Sequence, residues 1–136
     1  MAGAVDPIEL LRSSRSVLLI DWPSRDVPDS LARAGLDVSS ADGPDAYNAY
    51  EAAGGKVRVR RLEGPPEHSD IVYAYRPIDE LPDIINQALT IGARAIWLEH
   101  ASLADAPRGR DLVESAGLTY IDQPSIVQAA RSRNSG

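Results

Sequence analysis

Asp21, Arg76, Glu99 and Asp122 share a position: each directly follows a run of apolar residues, at 16–20, 70–75, 93–98 and 118–121. Polar groups that end buried strands gather along one rim of a sheet, and that rim is where small ligands are met. Arg76, with Arg25 on an earlier loop, offers a fork of donors suited to a phosphate or a carboxylate. His100 follows Glu99, and an imidazole between carboxylates can act as a general base or as a pH-sensitive contact. Asp21, Glu99, His100 and Asp122 also have the donor types that hold a cation. Trp22 presents a flat apolar surface that could cover a ligand ring, anchor a protein partner or simply pack over the sheet edge.

Each of these readings has a plainer rival. No nucleophile, base and orienting group can be traced by spacing, since Ser24 and Ser102 stand at unrelated positions, and the chain has no cysteine. No catalytic residue is therefore assigned, and an enzyme is the least favoured class. Polar strand ends are what any parallel sheet presents, and the ligand spacings of known metal motifs are missing, so no metal ligand is assigned either. Arg25 and Arg76 could equally be spent in ion pairs with Asp26 or Asp122. His68, in the turn Pro66-Glu67-His68-Ser69, reads as solvent-exposed.

The chain that must position these groups has 136 residues, the size of one domain, spanning 1–136 with a polar tail at 131–136 that is expected to fray. Twenty acidic against fourteen basic residues give a formal charge of −6, which argues against general nucleic-acid binding. Four of those basic residues crowd into Lys56-Val57-Arg58-Val59-Arg60-Arg61, but the alternation with valine reads as a strand with one apolar face. Asp6 and Glu9 near the start, with no long apolar run there or later, leave a cytoplasmic protein without a membrane span as the expectation.

Apolar periodicity then divides the chain into alternating elements. Asp6-Pro7 opens a short helix ending near Ser13 or Ser14, and residues 16–20 form a first strand. A loop, Asp21-Trp22-Pro23-Ser24-Arg25-Asp26, leads into a helix through Leu31 and Ala34 that Gly35 closes, and 36–39 form a short second strand. Residues 40–55 read as a connection with a helical turn around 46–52. Strands follow at 56–62 and 70–75, separated by Gly64-Pro65-Pro66. A helix carrying Leu81, Ile84, Ile85, Ala88 and Leu89 leads to a strand at 93–98. Asp105 caps a helix through Leu112 and Val113 that Gly117 closes; a strand at 118–121 and a short helix at 125–130 complete the pattern. Such alternation implies an α/β fold, a Rossmann-like doubly wound, three-layer domain with a mostly parallel sheet of five to six strands.

Asp70-Ile71-Val72-Tyr73-Ala74-Tyr75-Arg76-Pro77, then Ile91-Gly92-Ala93-Arg94-Ala95-Ile96-Trp97-Leu98-Glu99, then Ala116-Gly117-Leu118 and Ile121-Asp122, follow an order and spacing that span about half the chain. Together they resemble the small stand-alone CoA-binding proteins, which are similar to the CoA-binding domain of the succinyl-CoA synthetase alpha subunit. The resemblance implies a Rossmann fold whose first strand sits mid-sheet between the strands at 36–39 and 70–75, with a binding crevice between the ends of the strands at 16–20 and 70–75. It also marks departures. Asp21-Trp22-Pro23-Ser24 replaces a loop of Gly and Ser that lets backbone amides approach phosphates, and Asp26 and Asp29 add negative charge to the same helix start. Glu99 replaces a glutamine, His100-Ala101 a glycine-containing turn, and Gln123-Pro124 stands where the family has a cysteine.

The resemblance thus implies a non-catalytic module for CoA, acyl-CoA or another nucleotide-type ligand, with a modified phosphate loop. Its crevice would be lined by Trp22, Ser24, Arg25, Arg76, Pro77, Glu99, His100 and Asp122, with Trp22 able to cover an adenine ring. The alternative, from another class, is an interaction scaffold that has lost ligand binding and pairs with a second copy or another protein. Carboxylates at the helix start stabilise the helix but repel a pyrophosphate.

Overall fold

A computed structural model describes residues 6–43, 46–99 and 104–135. The elements run α1 (Pro7–Arg12), β1 (Ser16–Leu19), α2 (Asp26–Arg33), β2 (Asp37–Gly43), β3 (Ala46–Ala53), β4 (Lys56–Leu62) and β5 (Ile71–Ala74). A 3₁₀ turn (Ile78–Glu80), α3 (Leu81–Ile91), β6 (Ala95–Leu98), α4 (Ala106–Ser115), β7 (Thr119–Ile121) and α5 (Ile126–Ser135) complete the chain. One seven-stranded sheet has the order β4-β3-β2-β1-β5-β6-β7. As expected, β1 lies inside it, parallel to β2 on one side and β5 on the other.

The strand count exceeds the expected five to six because residues 46–53, read as a connection with a helical turn, form β3. It pairs antiparallel with β2 and β4. Gly54 and Gly55, at φ +59° and +79°, make the two-residue hairpin turn whose backbone only glycine and a few polar residues adopt readily. That turn folds the basic strand at 56–62 back onto its neighbour and so creates an edge. Val59 there is 47% exposed. Arginines at the two ends of α2 reach this hairpin: Arg25, just before the helix, donates through Nη2 to the Val57 carbonyl at 3.2 Å, and Arg33, in its last turn, donates through Nη2 to that of Gly55 in the turn at 3.4 Å. Covering the Val57 carbonyl in this way, together with the strand's own charges, discourages pairing with a further strand.

Both faces of the parallel part are covered, as its unbroken apolar strands require. α1, α2 and α5 enclose a core that includes Leu11, Leu19, Leu31, Tyr73, Trp97 and Ile126; on the other face α3 and α4 enclose Leu18, Val72, Leu81, Ile96 and Val113. α5 continues to Ser135, beyond the end expected near Ala130. Ala129 and Ala130 are buried, and the helix packs on both α1 and α2, so tertiary contact sustains a polar sequence that has little helical signal of its own.

The return from β4 to β5 crosses four interstrand gaps, roughly 19 Å of sheet, in the residues 63–70. A helix of that length rises only about 12 Å. The crossover is therefore extended, which suits Gly64-Pro65-Pro66. It leaves the face of β2–β4 opposite α2 without a helix.

At the amino ends of β1 and β5, Asp70 accepts hydrogen bonds from the backbone N–H of Arg15 at 2.7 Å and of Ser16 at 3.3 Å, and from His68 Nε2 at 2.8 Å. Partial burial pushes its pKa up, but the bonds from Arg15, His68 and Ser16 outweigh this and hold it below the ordinary carboxylate value. A depressed folded pKa adds stability that is present above the unfolded value and lost as pH falls through the folded one. Melting temperature should accordingly fall more steeply from about pH 5 to about pH 3 in the native protein than in Asp70→Asn. Equal slopes would show that Asp70 is not the linking group.

Gly92 ends α3 at φ +78°, and a Cβ there would lie 3.0 Å from His68 Nδ1. Gly92→Ala should cost about 1–2 kcal/mol from the left-handed backbone alone, read as a shift in the urea midpoint at unchanged slope.

Candidate functional site

The loop after β1 is fastened to the end of β5 twice. Tyr75 N–H donates to the Asp21 carbonyl at 3.1 Å, and Arg76 Nη1 donates to Asp21 Oδ2 at 3.1 Å. The other Asp21 oxygen accepts from the Trp22 N–H at 2.9 Å. Asp21 thus links the ends of β1 and β5 through both its backbone and its side chain. Ser24 Oγ accepts from the Asp26 N–H at 3.3 Å, so it serves the start of α2. Arg25 is the residue before α2, and Asp26 and Asp29 stand in its first turn, where negative charge complements the helix dipole.

Both arginines are engaged in ion pairs. Arg76 donates through Nε to both Glu80 oxygens at 3.0 Å, and its Nη2 also bonds Glu80, in addition to the bridge to Asp21. Glu80 first, and then Asp21, raise its already high pKa further. Pro77 starts the 3₁₀ turn that sets Glu80 one turn away from Arg76. Arg25 pairs with Asp29 at 2.7 Å and lies 5.2 Å from the Tyr50 ring centre, and Tyr50 meets Trp22 edge-on at 6.1 Å. Trp22 therefore packs on the α2 side, partly buried against the core. The partners are Asp29, Asp21 and Glu80 rather than the Asp26 and Asp122 weighed from the sequence.

Glu99 turns away from the loop to hold α5. One oxygen accepts from the Tyr73 hydroxyl and the other from the Ile126 N–H, both at 2.6 Å. Burial, and then Glu99, raise the Tyr73 pKa, so the phenol stays a donor. Asp122 lies beside Tyr120, whose hydroxyl is pushed up to about 12 by burial and by the Asp122 charge. His100 lies outside the described residues. The structure thus brings Trp22 and Arg25 together at the Tyr50 ring, with Ser24 between them in the same loop, and joins Arg76, beside Pro77, to that loop through Asp21. Glu99 serves the fold, and Asp122 stands at β7, two strands beyond β5. Among the described residues, no three acidic or histidine side chains gather as a metal site.

Glu80 had no place in the sequence-based site, and Asp29 entered it only as charge at a helix start, without its arginine partner. Each sits four residues after the arginine that it binds, the helical spacing at which opposite charges meet, so that signal was readable. The aromatic contact from Trp22 to Tyr50 was not, because it depends on β3.

A family model described as "CoA binding domain" matches residues 21–131, and the chain belongs to that family. No curated protein matches it. Among solved structures, it is similar to Prb, described as the PH1109 protein redesigned for binding, at 18% identity and a TM-score of 0.70, covering 100% of this chain and 96% of that one. It is similar also to cell-free ID.343 from Thermus thermophilus, at 19% identity and a TM-score of 0.65, covering 95% and 99%. At such identities the two structures establish the Rossmann-like fold. No helix among the described residues is long and apolar enough to cross a membrane.

Proposed function

We propose that this chain is a non-catalytic, cytoplasmic module that binds CoA or an acyl-CoA in the crevice between the ends of β1 and β5, through a loop altered to weaken the phosphate contacts. Family membership over 21–131 supports the ligand class. The observation that supports the altered loop is the Asp21–Arg76–Glu80 bridge, in which the cation joining the loop after β1 to the end of β5 is already paired to two carboxylates. A phosphate arriving there must draw Arg76 away from Asp21 while Asp21, Asp26 and Asp29 repel it. The crevice would hold a ligand and present it.

A ligand that binds only the folded state raises the melting temperature. CoA and acetyl-CoA at millimolar concentration should do so, and NAD(P) and ATP should do so less. If Arg76 transfers from Asp21 to a phosphate, Arg76→Ala should weaken CoA by about 1.5–3 kcal/mol, the size of a hydrogen bond to a charged group. Calorimetry would show it. Failure of every ligand to raise the melting temperature would favour the interaction scaffold, for which both arginines being engaged is the supporting observation.

A further inference from the structure

The extended crossover 63–70 lies diagonally over the face of β2–β4 that has no helix, and between it and α3 is a groove of about 420 Å³. That volume lies within the roughly 300–1,000 Å³ typical of small-molecule sites. Leu18 and Ile91 give it an apolar floor, and Tyr47, Pro65 and Pro66 an apolar wall. The facing wall is uncharged and polar: Asn86, Gln87 and Thr90 stand exposed along α3. Among the described residues of the lining Glu67 is the one that carries a charge, and a carboxylate does not attract a phosphate.

The groove reaches the ligand-binding rim of the sheet. Leu19 pairs with Ser40, and Ser40 with Asn48, so Tyr47 stands in the next row up, level with the start of the loop after β1. Leu18 lies two residues below that level, about 7 Å down the strand. A chain entering at the carboxyl edge could run down between Tyr47 and α3. What fits must be slender and uncharged, with apolar stretches for the prolines and leucine and amide groups for Asn86 and Gln87.

We infer that this groove receives the pantetheine arm of the ligand, an uncharged chain with two amides and a terminal thiol. The inference rests on the CoA reading and adds where recognition resides. The altered loop disfavours the phosphate end, and the groove beside α3 holds the arm. An acyl group on the thiol would then lie against the lower, apolar part of the groove.

The test compares CoA with 3′,5′-ADP, which lacks the arm and the phosphate that joins it, by calorimetry, with the groove variants isolating the arm's share, and adds pantetheine alone, followed through the side-chain amide resonances of Asn86 and Gln87. CoA should bind at least about tenfold more tightly than 3′,5′-ADP. Thr90→Trp, at an exposed helical position, should remove that advantage and leave 3′,5′-ADP unchanged; the double change Asn86→Ala with Gln87→Ala should reduce it without filling the groove. Equal affinities in the native protein, or an advantage that survives both variants, would overturn the inference. Should CoA and 3′,5′-ADP both fail to bind, the CoA reading fails by itself. Movement of the Asn86 and Gln87 resonances with pantetheine would then still support the groove, and no movement would overturn it.

Discussion

Trp97→Ala should destabilise the protein by about 3–5 kcal/mol, the range for removing a large aromatic side chain from a core. Trp97 is fully buried on β6, between β5 and β7, in the core beneath α1, α2 and α5. Its indole N–H donates to the Pro124 carbonyl at 3.2 Å, which ties the segment before α5 to the sheet. Truncation leaves a cavity and removes that bond. Trp97→Phe should cost less, since much of the packing remains. Urea denaturation of both variants measures the difference, and a loss below about 1 kcal/mol for alanine would mean that the site collapses freely.

Glu99→Ala should cost about 2–3 kcal/mol, because it takes a charged acceptor from two donors at once, the Tyr73 hydroxyl and the Ile126 N–H. The Ile126 amide belongs to the first turn of α5, whose donors have no partner within the helix. Glu99→Gln keeps an acceptor oxygen and an amide donor, and should recover a good part of the loss. The pair separates two roles for a residue that stands at the strand end where a ligand contact was expected. A structural role lowers the melting temperature and leaves the crevice affinity intact; a ligand role does the reverse.

The parallel half of the sheet was legible because β1, β5, β6 and β7 are short apolar runs bounded by polar residues, a pattern that survives without knowledge of the neighbours. β3 was not. Ala46, Ala49, Tyr50 and Ala53 recur at helical spacing, and propensity favoured a turn of helix; the two glycines after it, required by a hairpin, were the stronger signal. The site divided in the same way. Asp21 and Arg76 were identified from strand ends, and Glu80 could have been added from its spacing. The turning of Glu99 toward α5 depends on a helix start 27 residues later and leaves no local trace.

Calorimetric titration of CoA into the native protein and into Asp21→Gly with Asp26→Ser measures what the two carboxylates cost a ligand at the loop after β1. Removing both carboxylates clears the close approach between β1 and β5 and lowers the repulsion at the start of α2. The native chain should bind weakly, and the double variant at least about tenfold more tightly, with the gain shrinking as salt screens the charges. Tight binding by the native chain, with no gain or a loss in the variant, would contradict the account and show that Asp21 and Asp26 belong to the ligand's own site.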